Sequence, residues 1–282
     1  MKRTKTRWLT HMMLIVFCLV FALPAIYTLL MATLTTQQAI TIPPEFFPTG
    51  QGIFDKVNHF TTNIETLMAR GFDSMILNTI IVALVVVIGK TAMAMLAGVV
   101  FVFYDFPGKV FLFFFILLTL LMPTEIIIQP LIRIMADLQW VNTNPRLALT
   151  MPFLASAVGV FLFRQHFNNI PRELADAAQI DGASSFRFLI AILLPMSWNV
   201  IGAHAMIQFI SMWNQYIWPV LLPLDTQSQM IQVGVVQSAT VGGQATFNLL
   251  MTAGIIASLP PLILFVLLQK QFMSGFAITR DK

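Results

Sequence analysis

Charge is scarce in this chain. Asp, Glu, Lys and Arg together make up 10% of its 282 residues. A water-soluble domain carries about 25%, so most of this surface cannot face water. The net charge of +4 is too small to suggest a nucleic-acid partner. Cysteine is scarcer still: Cys18 stands alone, which excludes an intramolecular disulfide and leaves a small packing residue in an apolar run. A phosphate-binding Gly-x-x-x-x-Gly-Lys-Ser/Thr loop is missing too. Gly89-Lys90-Thr91 has the tail of one, but Leu84 occupies the first glycine's place inside an apolar stretch, so the chain itself is not expected to bind or hydrolyse ATP. No Ser/His/Asp set and no metal-ligand cluster stands out at a shared depth, which speaks against a membrane-embedded enzyme.

What the chain does have is apolar length. Apolar residues make up 57% of it, and the mean hydropathy is +0.81. Crossing a hydrocarbon core takes about 20 mostly apolar helical residues. Six stretches reach that length, at residues 8–33, 74–103, 110–134, 147–167, 198–222 and 247–271. The expectation is an all-α integral membrane protein of about six transmembrane helices. The first stretch follows basic residues as a signal peptide would, but it is too long for one and has no nearby small-x-small site, so it reads as a retained span.

Basic residues set the orientation, because Lys and Arg accumulate in short cytoplasmic loops. With the N-terminus inside, Lys2, Arg3, Lys5, Arg7, Lys109, Arg164, Arg172, Arg187, Lys270, Arg280 and Lys282 are all cytoplasmic. Only Lys56, Arg70 and Arg146 then lie outside, with Lys90 and Arg133 in or at the edge of spans. Both ends are expected inside. Residues 35–73 then form an external segment, and 168–197 a cytoplasmic one between spans four and five.

The cytoplasmic segment carries its own helix signals. Pro171 suits a first helical position with Asn169 or Ile170 as cap, and Glu173 and Asp176 complement the helix dipole. Gly182 suits a left-handed stop, and Ser184 can cap a second short helix. On a regular helix Leu174, Ala177, Ala178 and Asp181 share one side, where two alanines would let another protein approach closely. An amphipathic connector lying at the interface is the plainer alternative.

These residues resemble the EAA loop of permease subunits in binding-protein-dependent ATP-binding-cassette importers. Its pattern of Glu-Ala-Ala, three residues, Gly, nine residues and Ile-x-Leu-Pro is met by Asp176-Ala177-Ala178, Gly182 and Ile192-Leu193-Leu194-Pro195. Asp176 replaces the glutamate, keeping the charge with a shorter reach. The resemblance extends from the second span onward and is nearest the carbohydrate-uptake branch, in particular the second permease of sn-glycerol-3-phosphate importers. Leu121-Met122-Pro123-Thr124-Glu125, Leu162-Phe163-Arg164-Gln165 and Trp213-Asn214-Gln215-Tyr216-Ile217-Trp218-Pro219 carry it. The resemblance implies that residues 1–282 form one type-1 transmembrane domain. It also implies a homologous second permease, two ATPase subunits that bind ATP and Mg and dock on the 168–197 loop, and an extracytoplasmic solute-binding protein. Glu173, Asp176, Ala177, Ala178, Asp181, Gly182 and Pro195 are the implied coupling residues. The implied solute is sn-glycerol-3-phosphate or a related glycerophosphodiester; a neutral sugar or disaccharide is the alternative. An ion-coupled secondary transporter is the competitor from another class, but no internal repeat supports it.

Polar residues inside spans are the remaining candidates, because charges there are expensive. Counting about 1.5 Å per residue puts Lys90 and Glu125 at similar depth, roughly 20 and 22 Å from the cytoplasmic ends, where they could pair. Glu125, Gln129 and Arg133 recur at four-residue steps on the third span, where Pro123 and Pro130 would break the regularity of the helix. His204, Gln208, Ser211, Gln215 and Trp218 recur on the fifth. Either stripe serves as interhelical glue or lines a translocation path. His204 reads as a core histidine rather than a ligand. Trp213, Tyr216 and Trp218, beside Asn214, suit either an aromatic belt or rings that stack on a sugar.

Overall fold

The computed structural model describes residues 2–50 and 52–277; side chains at 2–7, 9, 124, 125 and 271–277 are not described. The chain is helical almost throughout. It begins with α1 (Lys2–Ala32), α2 (Thr36–Ile40), α3 (Ile53–Met68) and α4 (Phe72–Phe103). Next come α5 (Lys109–Leu118), α6 (Thr124–Asp137), α7 (Trp140–Thr143), α8 (Pro145–Thr150) and α9 (Ala157–Asn168). The short α10 (Glu173–Ile180), α11 (Ser185–Phe188) and α12 (Leu194–Met196) precede α13 (Trp198–Trp213) and α14 (Ile217–Leu221). The chain closes with α15 (Ile231–Gln237), a hairpin of β1 (Thr240–Val241) and β2 (Gln244–Ala245), and α16 (Phe247–Ala277).

Three helices are long and apolar enough to cross a membrane unbroken: Thr10–Ala32, Phe72–Phe103 and Phe247–Lys270. The other three expected spans, 110–134, 147–167 and 198–222, fall on bent helix pairs, which corrects their reading as single helices. Lys109–Leu121 and Ile126–Asp137 meet at 99°. The turn falls at Met122-Pro123, where both residues are extended, because proline has no N–H for the ladder and disfavours helix in the residue before it. Pro145–Phe153 and Ala157–Asn168 meet at 48°, with Ser156 capping the second piece by accepting from the Gly159 N–H. Ser185–Met196 and Trp198–Leu221 meet at 80°. The last piece also breaks after Trp213, since Pro219 can neither donate to the Gln215 carbonyl nor avoid it.

The chain forms two compact units. One comprises Met1–Asp73 and Ile231–Leu259. Its α1 is apolar all round and exposed from Thr10 to Leu19, as a lipid-solvated helix would be. Its C-terminal end enters protein: Tyr27 packs edge-on against Phe46, and Met31 packs with Leu34 and Ala39 against Phe46 and Met251. A buried amide fixes this end. Asn63 Nδ2 donates to the Ala32 carbonyl at 2.9 Å and the Leu34 carbonyl at 3.3 Å, and its Oδ1 accepts from Asn248 Nδ2 at 2.9 Å. Thr35 and Gln38 form a capping box that starts α2. The β1–β2 hairpin turns through Gly242 and Gly243, both at positive φ as a tight two-residue turn needs.

The other unit comprises Ser74–Met230 and Pro260–Lys282. Its axis is α4, whose residues Ala94, Met95, Val99 and Val102 pack with Phe163, Phe167, Phe188, Leu193 and Val200. Backbones approach closely here, as small residues allow in membranes. A Cβ at Gly98 would stand 2.9 Å from Phe163 Cβ.

Candidate functional site

Four polar side chains of the second unit, Lys90, Thr91, His204 and Gln208, meet where α4 packs on α13. Lys90 Nζ donates to Gln208 Oε1 at 2.8 Å. One residue on, Thr91 Oγ1 and His204 Nδ1 are hydrogen-bonded at 3.1 Å. His204 is buried edge-on against Phe163, with ring centroids 5.7 Å apart, and its Nε2 has no hydrogen-bond partner. Two helices of apolar sequence are thus joined by two side-chain pairs, each worth about 1 kcal/mol or less.

This arrangement brings together only part of the expected path. Lys90 engages Gln208; the Glu125 side chain lies outside the described residues. The bend at Met122-Pro123 also removes the basis for counting Glu125's depth along a straight helix. Gln129 and Arg133 are exposed on α6. The expected fifth stripe is not continuous. His204 and Gln208 share the face of α13 turned toward α4, and Ser211 is exposed on the same helix. Asn214 caps the end of α13, and Gln215 and Tyr216 are half-buried in the break before Trp218. Trp213 and Trp218 are buried within the chain rather than set at a rim. Trp213 stacks on Phe209, and Trp218 donates from Nε1 to the Ala148 carbonyl at 3.1 Å.

A second polar knot was not anticipated. Asn78, buried on α4, donates to the Ser228 carbonyl at 2.6 Å and accepts from Arg146 Nε at 3.0 Å. Asn78 interrupts an apolar run, which is a usable signal. Arg146 had counted only as an external loop charge.

The 168–197 segment is organised by its own core. α10 starts at Glu173 with Arg172 as its N-cap, two residues later than Pro171 suggested. Its end follows expectation: Gly182 has φ +71°, its N–H reaches the Gln179 carbonyl, and the Ala183 N–H reaches the Ala178 carbonyl at 2.9 Å. Ser184 caps α11 by accepting from the Arg187 N–H. The two motif alanines do not share a face, which corrects the expected pairing. Ala178 is buried in the core with Phe167 and Phe188, whereas Ala177 is exposed. Glu173, Asp176, Asp181 and Pro195 are exposed as well, and so is Ile180, at 87%. Tyr104 Oη donates to Ser185 Oγ at 2.6 Å, fixing α11 to the end of α4.

Several helices long and apolar enough to cross a membrane define a multi-pass membrane protein. The family of binding-protein-dependent transport system inner membrane components matches residues 90–276, more than half of the chain. The sn-glycerol-3-phosphate transport system permease protein UgpE of Agrobacterium fabrum (strain C58 / ATCC 33970) is 34% identical, with 98% of each chain covered. UgpE of Escherichia coli (strain K12) is 33% identical over 95% of this chain and 96% of that one. The fold is also that of a chain in the crystal structure of a bacterial ABC transporter involved in the import of the acidic polysaccharide alginate. That match has a TM-score of 0.78 at 19% identity and covers 94% of this chain and 95% of the other. The chain belongs to the binding-protein-dependent transport system inner membrane component family and is a permease subunit of the inner membrane.

Proposed function

We propose that the chain forms half of the translocation pore of an ATP-driven importer for sn-glycerol-3-phosphate or a related glycerophosphodiester. The observation that carries the solute is full-length similarity, at 33–34% identity, to permeases named for that transport. In this reading residues 1–282 act as one type-1 transmembrane domain. Each bent pair counts as one crossing, giving six, with both ends in the cytoplasm as the basic residues favour. The other half of the pore is a homologous permease, and a solute-binding protein delivers from outside. Two ATPase subunits hold ATP and Mg and dock on the 168–197 loop through the outward side of α10. Closure of the ATPase pair then biases a bundle with two arrangements.

Reconstitution of the complex in proteoliposomes tests this directly. ATP-dependent uptake of sn-glycerol-3-phosphate that requires the binding protein and both ATPase copies is expected. Uptake of a neutral disaccharide and not of the phosphate ester would overturn the solute. Uptake by this chain alone would overturn the subunit role.

A further inference from the structure

We propose that Lys90, held in place by Gln208, is the cation that receives the phosphate group of the solute. The inference rests on the glycerol-3-phosphate reading and assigns it a residue. Lys90 sits at the margin of the α4 seam: Val86, Val87, Thr91 and Ala94 are buried beside it, Ile88 and Met93 are exposed, and Lys90 itself is half-buried. Its ammonium has three N–H donors, and the bond to Gln208 Oε1 occupies one. Gln208 turns its oxygen to the lysine, so its amide nitrogen is left to donate nearby. Thr91 and His204, one residue away, are engaged with each other. The Lys90–Gln208 pair therefore presents N–H donors together with a positive charge. The one ion pair among the described residues, Lys109–Asp105, lies elsewhere. A charged group in a span faces a bundle interior or a wet cavity and takes a counter-charge. A phosphate monoester supplies that charge, with oxygens that accept short charge-assisted bonds from ammonium and amide. A neutral sugar supplies none.

The test uses the full reconstituted complex, with sn-glycerol-3-phosphate as the probe. Lys90→Gln keeps a polar partner for Gln208 but removes the charge. Co-purification of all subunits reports whether that variant assembles. We expect the assembled Lys90→Gln complex to need roughly tenfold more solute, or to transport roughly tenfold more slowly, as loss of a charged hydrogen bond implies. Lys90→Arg is expected to recover most of the loss, which a purely structural role would not predict of a bulkier side chain. Lys90→Gln with unchanged solute dependence overturns the assignment. So does recovery of uptake in Lys90→Gln/Glu125→Gln, which would make the lysine a counter-ion for Glu125. A wild-type complex that carries only neutral sugars overturns the solute reading itself, and the assay separates the two because the wild type is measured first.

Discussion

Gly159 and His204 share one space: a Cβ at residue 159 would stand 2.7 Å from the ring's Nε2 and equally close to Ala94 Cβ. The ring is held from its other nitrogen by Thr91, so it cannot swing aside without losing that bond. Gly159→Ala is therefore expected to destabilise the chain by about 1–2 kcal/mol, although alanine is the better helix former. Gly159→Ala/Ala94→Gly should recover part of the loss by opening the opposite wall. Unfolding midpoints of the purified variants check both. An unchanged midpoint in the single variant would show that α9 shifts freely against α4.

Asn63 is a different kind of joint, with both amide hydrogens committed to carbonyls and its oxygen to Asn248. Asn63→Asp places a carboxylate against the Ala32 and Leu34 carbonyl oxygens and takes away both donors. Asn63→Leu takes away the same two donors without adding charge. Both should cost about 1–3 kcal/mol, with aspartate the worse at neutral pH. Protonation returns one donor to Asn63→Asp, so its deficit should shrink on acidification while that of Asn63→Leu stays constant. Thermal melts across pH decide it; parallel behaviour of the two variants would sink the argument.

Gly182 separates backbone strain from steric bulk. Its φ is +71°, and nothing lies within 4 Å of a Cβ built there. Gly182→Val is expected to strain the backbone by about 1–2 kcal/mol and to lower solute-stimulated ATP hydrolysis, with the spans still inserted. Gly182→Asn should be milder, because asparagine tolerates the left-handed region. Equal effects of the two substitutions would point to contact with a partner surface instead.

Much of this loop was legible from local chemistry. Gly182 as stop and Ser184 as cap need only neighbouring residues, and both are where the sequence placed them. The break before Trp218 was also available, since Pro219 forbids a helix through Gln215, yet the polar stripe suggested continuity. Gly242-Gly243 similarly announced a hairpin that hydropathy passes over. Lys90–Gln208 and Asn63–Asn248 are another matter. Their partners lie 118 and 185 residues apart, and pairing depends on the rotation of one helix against another. A polar residue in an apolar run says that a partner exists without saying which.

Ala177 and Ala178 are adjacent in the motif but face opposite surroundings, and this divides their consequences. Ala178 is buried among Phe167, Phe188 and Leu193. Ala178→Asp should place a carboxylate in this core and lower the unfolding midpoint of the chain on its own, by about 1–3 kcal/mol. Ala177 is exposed, near Ile180 on the same helix. Ala177→Leu should leave the isolated chain's stability within about 0.5 kcal/mol, as surface substitutions do. Its cost should appear only in the complex, as reduced co-purification of the ATPase subunits, because a larger side chain holds off the surface that approaches α10. Unfolding and pull-down measured on both variants give a two-by-two comparison. The docking role of the outward side of α10 fails if Ala177→Leu retains the ATPase at wild-type stoichiometry.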